Sequence, residues 1–251
     1  LTKIIVSAGD AITAKLVEQA GFDGIWVSGF EASARLGLAD NGSITMTEML
    51  NITKPIVDAV NIPVWVDTDT GYSNFQRTVS EFEKIGVAGV CVEDNLPEMK
   101  ENSLWGGKIP LMNAEDFAKK ITVERSVIQI MARTEAIIRG YGVEEASKRK
   151  KIYEDAGADA VLIHARAWED VKKWSSSVPL AIVPTKFPSA TAEQLGEMGY
   201  SMIIWANQTE RVKIKAVRDA LCSLKIKDSA IEIELELSAT LEDMKGLTPD
   251  A

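Results

Sequence analysis

Two short apolar runs end in acids. One leads from Val64-Trp65-Val66 into Asp67-Thr68-Asp69-Thr70-Gly71-Tyr72, the other from Val90-Cys91-Val92 into Glu93-Asp94. A buried strand that ends in carboxylates places negative charge at the C-terminal edge of a parallel α/β fold, where sites are built. Carboxylates crowded there repel one another unless a cation sits between them. All the ligands on offer are oxygens, so the expected occupant is a hard divalent cation, most simply Mg²⁺, with Asp67, Asp69 and Glu93 as its candidate ligands. Asp69, just before Thr70-Gly71, also reads as a turn residue. Other strand ends add Ser28 and Gly29, Arg133 and Glu135, His164, Pro184 and Thr185, and Asn207, and in a barrel all of these, with Asp94, are expected to project into one mouth. Arg133 is a permanently charged fork suited to a carboxylate or to phosphoryl oxygens, and it can also pair with Glu135. His164 is the only histidine in the chain. That excludes a multi-histidine zinc site and argues against a Ser-His-Asp triad. It reads as a hydrogen-bond donor to substrate, or else as a satisfied core residue. There is no P-loop or dinucleotide fingerprint, so no nucleotide cofactor is expected.

These residues need elements to carry them. A helix end, a glycine and an apolar run recur at Ala20-Gly21, Ile85-Gly86, Ala156-Gly157 and Met198-Gly199. Glycine there supplies a left-handed cap, and the apolar run is a strand buried on both faces. Strands are predicted at 4–6, 24–27, 64–67, 89–93, 128–133, 160–164, 180–183 and 202–205. Helical periodicity falls at 10–20, 45–60, 75–85, 114–123, 143–156 and 191–198, then at 208–224 and 239–245. Eight alternations in 251 residues predict an α/β fold, a single (β/α)₈ TIM-type barrel spanning 1–251. The longest irregular stretch, 94–112, follows the acids of the fourth strand and is expected to fold over the site as a lid. Residues 225–251 read as a C-terminal extension, apolar and acidic by turns.

Composition narrows the partners. A net charge of −9 argues against nucleic acid or an anionic membrane surface. No apolar run approaches the ~20 residues of a membrane span. Two cysteines form no disulfide framework and fit a reducing cytoplasm, with Cys91 expected as a small buried hydrophobe. No signal-peptide pattern is read at the N-terminus.

Taken in order, a set of short strings resembles the phosphoenolpyruvate mutase and phosphonopyruvate hydrolase branch of the isocitrate lyase superfamily. The strings are Trp26-Val27-Ser28-Gly29-Phe30 with Asp40, Asp67-Thr68-Asp69-Thr70-Gly71-Tyr72, Glu93-Asp94, Arg133-Thr134-Glu135, Leu162-Ile163-His164, Val183-Pro184-Thr185 and Trp205-Ala206-Asn207. Lyases of the superfamily carry a nucleophile-like cysteine in their loop, which is missing here. Mutases carry Lys-x-Asn-Ser-Leu, similar to Lys100-Glu101-Asn102-Ser103-Leu104, whereas the hydrolases tend to have Thr at the position of Asn102. Three features depart from the mutase pattern: Asn95 replaces a lysine, the loop is one residue longer, and Ser7-Ala8-Gly9-Asp10 replaces a Glu-Ala-His-Asn-like opening.

The resemblance implies Mg²⁺-dependent interconversion of phosphoenolpyruvate and phosphonopyruvate. Asp67 would hold the metal, with Asp69 and Glu93 acting through water. Trp26, Ser28, Gly29, Phe30 and Asn207, with Arg133 and His164, would bind the anionic substrate. Arg133, His164, Asn102 and Ser103, with Lys100 from the same loop, would cradle the phosphoryl group, and Asp40 would accept or orient it. It also implies a homo-oligomer, a dimer of dimers with the last helix exchanged between subunits. The alternatives are a phosphonopyruvate hydrolase, a C–C lyase on a related diacid, and a catalytically silent barrel that binds an oxo-acid.

Overall fold

The computed structural model describes residues 2–105, 107–231 and 233–247. Gly106 of the expected lid, and Glu232 and 248–251 of the expected extension, lie outside them. Strands β1 (Lys3–Ser7), β2 (Gly24–Val27), β3 (Val64–Asp67), β4 (Gly89–Glu93), β5 (Gln129–Thr134), β6 (Ala160–Ile163), β7 (Leu180–Ile182) and β8 (Met202–Trp205) pair in parallel. They close in sequence order, with β8 returning to β1. The expected α/β barrel is therefore present, and each predicted strand coincides with an observed one to within a residue at either end. Every residue of β2, β3, β4 and β6 is buried. Such strands are stable only with side chains filling the barrel inside and helices covering it outside.

Helices α1 (Ala11–Gln19), α2 (Gly29–Arg35), α3 (Met46–Ala59), α4 (Phe75–Lys84), α5 (Ala114–Ile121), α6 (Val143–Asp155), α7 (Ala192–Glu197), α8 (Gln208–Lys227) and α9 (Leu241–Leu247) follow the strands. Their starts are written in the sequence. Asp10, Asn74 and Asn113 accept backbone N–H groups at the starts of α1, α4 and α5. Thr45 with Glu48, and Thr191 with Gln194, close reciprocal boxes on α3 and α7. Each such cap contributes about 1 kcal/mol. Helix α2 was not expected; its run Gly29-Phe-Glu-Ala-Ser-Ala-Arg35 is too short to show a period. Beyond α8 the chain makes a wide helical turn at Ile233–Leu237 and then α9, two residues later than the helix read at 239–245. Among the described residues no helix is long and apolar enough to cross a membrane.

One acid of α2 is buried without being part of the barrel mouth. Glu31 accepts a hydrogen bond from Ser7 Oγ at 2.7 Å, while its other oxygen has no partner. Burial, with Glu210 nearby, pushes its carboxyl up to about 7. The folded chain thus holds a proton that the unfolded chain releases at lower pH. The stabilisation is full at acid pH and is lost as pH rises through 7. Glu31→Gln keeps an acceptor for Ser7 and cannot ionise. Urea titrations should find this variant unchanged near pH 4.5 and more stable than wild type at pH 8, by at most about 3 kcal/mol. A stability difference that does not vary with pH would contradict the assignment.

Candidate active site

Strand parity decides what reaches the mouth. Side chains alternate between the two faces of a strand. Trp26, Trp65, Cys91, Met131, Leu162, Ala181 and Ile204 form the cluster inside the barrel. Two residues further along the same face stand Ser28, Asp67, Glu93, Arg133, His164, Val183 and Ala206, and all of them line one cavity. Asp94 has the opposite parity. It accepts from Arg149 Nη1 at 3.1 Å, Tyr153 Oη at 2.7 Å and the Glu135 amide at 2.9 Å. The expectation that Asp94 joins the mouth is therefore corrected: it fastens α6 to the barrel.

The remaining lining comes from loops above the strands. Phe30 opens α2, Asp40 sits in the turn after it, Asp69 follows β3, and Thr185 and Asn207 follow β7 and β8. The 94–112 loop adds Lys100, Asn102, Ser103 and Leu104. The space left between them is about 60 Å³. Trp26, Ser28, Phe30, Asp40, Asp67, Asp69, Glu93, Lys100, Asn102, Ser103, Arg133, His164 and Asn207, all marked out by the sequence, thus face one another. Gly29 borders the cavity with its backbone, because a Cβ there would lie 2.9 Å from Asp69 Oδ1. Val183 was missed; it follows from the parity of β7.

The loop after β3 is strained. Asp69 and Tyr72 have φ of 50° and 57°, a left-handed conformation costing roughly 1 kcal/mol or more per non-glycine residue. The amide of Asp69 donates to Asp67 Oδ1 at 3.1 Å, and Gly71 closes the turn onto Thr68. Asp69 is thus a turn residue and a mouth residue at once.

Two cations face five acids. Lys100, with 4% of its side chain exposed, lies 3.1 Å from Asp40 Oδ1 and 3.3 Å from Asp69 Oδ1. Arg133 lies 3.4 Å from both Asp67 and Glu93, and its Nε donates to Glu135 at 2.7 Å. Burial pushes Asp67 up to about 6 and Asp69 up to about 8, against the pull of Arg133 and Lys100 respectively. Burial opposes the charge of Lys100 too, but the acids around it, Glu93 and Asp69 foremost, hold it protonated. Glu135 is also fully buried, yet Arg133 and His164 keep it well below the usual carboxylate range. It accepts from His164 Nδ1 at 2.8 Å. Arg133 Nη2 lies 3.0 Å from the same Nδ1, so this ring nitrogen stands between the acid and the guanidinium while Nε2 points away from both.

The acids suit a hard cation. Asp69 Oδ2 is buried without a hydrogen-bond partner, an arrangement that an ion would satisfy. Among the described residues no three His, Cys, Asp or Glu side chains converge into a finished cage. Mg²⁺ accepts such a site, since it binds through one or two carboxylates and keeps several waters. Asn95, standing where the family pattern has lysine, donates Nδ2 to Glu93 Oε1 at 2.7 Å and holds that acid in place.

Fold and mouth together define a (β/α)₈ barrel with an acid-and-cation site beneath a long β4–α5 loop. The family model described as phosphoenolpyruvate phosphomutase matches residues 2–225, and the chain belongs to that family, within the isocitrate lyase superfamily. It is 33% identical to a phosphoenolpyruvate phosphomutase of Tetrahymena pyriformis, over 95% of this chain and 84% of that one. It is 32% identical to a phosphonopyruvate hydrolase of a Variovorax strain, over 94% and 87%. A 2,3-dimethylmalate lyase of Eubacterium barkeri shares 35%, over 98% and 89%. Among solved structures, a phosphoenolpyruvate phosphomutase from Streptomyces platensis superposes with a TM-score of 0.93 at 35% identity, covering 98% of this chain and 90% of that one. A phosphonopyruvate hydrolase complexed with oxalate and Mg²⁺ superposes at 0.89 with 30% identity, covering 98% and 89%.

A cation entering this mouth must displace protons from the raised acids, so its affinity should rise with pH between about 6 and 8. Thermal melts with and without Mg²⁺ should show a larger stabilisation at pH 8.5 than at pH 6. At 100 times its Kd the ion adds about 2.7 kcal/mol. Asp67→Asn should abolish that increment without lowering the metal-free melting point, because it also removes a buried charge. An intact Mg²⁺ increment in this variant would remove Asp67 from the metal site.

Proposed function

We propose that this chain is an Mg²⁺-dependent mutase that interconverts phosphonopyruvate and phosphoenolpyruvate. The observation that carries this reading is the contact of the loop with the mouth. Asn102 Nδ2 donates to Asp40 Oδ2 at 2.5 Å, and Arg133 Nη2 lies 3.1 Å from Ser103 Oγ. Both loop groups stand where a transferred phosphoryl group would lie between Asp40 and Arg133.

In the reaction the P–C bond of phosphonopyruvate breaks, its electron pair stays on carbon as the pyruvate enolate, and phosphorus then bonds to the enol oxygen. A divalent ion held by Asp67, with Asp69 and Glu93 at longer range, would supply positive charge for the substrate's carboxylate and enolate oxygens. Arg133, oriented by Glu135, offers charge to the phosphoryl oxygens, where negative charge spreads during transfer, and His164 would hydrogen-bond to them. Asn102 and Ser103 add neutral donors. The backbone N–H groups of Gly29 and Phe30, in the first turn of α2 beside the acids, would bind an oxyanion. Asp40 accepts phosphorus covalently or orients it. The loop excludes water, which would otherwise take the phosphoryl group and leave pyruvate and phosphate.

A cysteine-dependent lyase finds no support. Cys91 is packed inside the barrel and Cys222 is on exposed α8, and neither lines the cavity. The hydrolase reading survives as the second one, because the mouth residues would serve either reaction and a relative of similar identity carries that name. The protein is further proposed to act in a reducing cytoplasm as a homo-oligomer, a dimer of dimers. Helix α8 buries none of its residues and exposes Ile214, Val217 and Leu221, a face suited to a neighbouring copy.

Phosphorus NMR on phosphonopyruvate with Mg²⁺ tests the reading. A phosphate-ester resonance is the expected outcome; inorganic phosphate would indicate the hydrolase, and no change would indicate a silent binding barrel or another substrate. Asn102→Thr should raise the share of hydrolysis roughly tenfold by loosening the cover. An unchanged product ratio would remove Asn102 from control of the outcome.

A further inference from the structure

Arg139 has no role in the site described above, yet it is among the largest fully buried side chains of the protein. It follows β5 in the turn that ends at Gly140. All the hydrogen bonds of its guanidinium go to the 94–112 loop. Nη2 donates to the Glu101 carbonyl at 2.7 Å, and Nη1 donates to the Glu101 carboxylate at 3.1 Å and to the Gly107 carbonyl at 3.2 Å. Its Nε has no hydrogen-bond partner, and neither does Glu135 Oε2; the two face each other at 3.8 Å. The other oxygen of the same carboxylate, Oε1, is the one that holds Arg133 and His164.

Two buried atoms of opposite charge, both unsatisfied and just beyond bonding distance, form an interaction left incomplete. A buried guanidinium is not stable unpaired. When the loop lifts, Arg139 loses all three of its acceptors, and the nearest replacement is Glu135.

We propose that Arg139 is a positioning residue that couples the loop to the Glu135 carboxylate, and through it to Arg133 and His164. With the loop down, loop oxygens hold the two terminal nitrogens of Arg139, and Glu135 is left to orient Arg133 and His164. With the loop up, Arg139 closes the 3.8 Å gap, draws Glu135 towards itself, and loosens both of those side chains. The site is then assembled only under a closed cover, so an unprotected phosphoryl group never meets a competent mouth. This inference rests on the reading of 94–112 as a lid, but it requires no particular substrate.

His164, as the sole histidine, gives an unambiguous NMR signal after selective ¹⁵N-histidine labelling. Its ring nitrogens and the hydrogen exchange of amides 100–105 are to be followed together in the free protein. Arg139→Ala should speed loop exchange at least about tenfold and shift the His164 nitrogens, and Arg139→Lys should restore part of both. Glu101→Ala, at a half-exposed position on the loop that does not line the cavity, should shift the same nitrogens the opposite way, because it leaves Arg139 in place and freer to draw Glu135 off the ring. It also serves if Arg139→Ala fails to fold. In the double variant the ring should move no further than in Arg139→Ala alone. A His164 signal that stays at its wild-type position while loop exchange rises would make Arg139 a mere anchor and overturn the proposal. A ring shift without faster loop exchange would also overturn it. No phosphonate is used, so a negative phosphorus assay leaves this test intact.

Discussion

The structure is organised around an imbalance of buried charge. Asp40, Asp67, Asp69, Glu93 and Glu135 crowd the mouth of the barrel against Lys100 and Arg133. Such a set is unstable in a dry interior unless each acid is paired, protonated or given a further cation. The raised proton affinities of Asp67 and Asp69 express the shortfall. The same shortfall makes the mouth receptive to a hard divalent ion, and draws Lys100 down from the loop to stand among the acids. Loop position and pH response are in this sense one property.

The barrel exists to hold that imbalance rigidly. Its inner layer of Trp26, Trp65, Cys91 and Met131 puts an apolar floor beneath the acids. Side-chain alternation then delivers the residue two positions further along each strand to the rim. Outside, Asp94 uses its charge on Arg149 and Tyr153, so adjacent acids in Glu93-Asp94 serve opposite purposes. One lines the cavity and the other fixes the helix that closes the wall. Asn95 completes the segment by donating to Glu93, a neutral group that steadies the acid without cancelling its charge.

Most of the architecture was legible because it is local. The recurring helix-glycine-strand junctions and the apolar runs located all eight strands. The acids at the ends of β3 and β4 located the mouth, because a charge that ends a buried strand has to face a partner, an ion or water. Helix α2 escaped because seven residues carry too little periodicity, and because Ser28-Gly29 was read only as a strand end. Asp94 was misplaced although parity could have corrected it: counting two residues on from Cys91 reaches Glu93, not Asp94. Arg139 left a fainter trace, a lone cation between Ile137-Ile138 and Gly140. Its partners lie about 30 to 40 positions earlier in the chain, and only the folded loop reveals them. The left-handed backbone of Asp69 was equally hidden, since nothing local distinguishes an aspartate that must adopt it.

Gly29 carries a consequence for how this scaffold can be altered. A methyl group at that position would collide with Asp69, so between the side chains of Ser28 and Phe30 the wall beside the acids is main chain. Reshaping the site at that point therefore has to come from the side chains that face it, those of Lys100, Asn102 and Ser103 among them, whereas a side chain placed at 29 would first have to move Asp69.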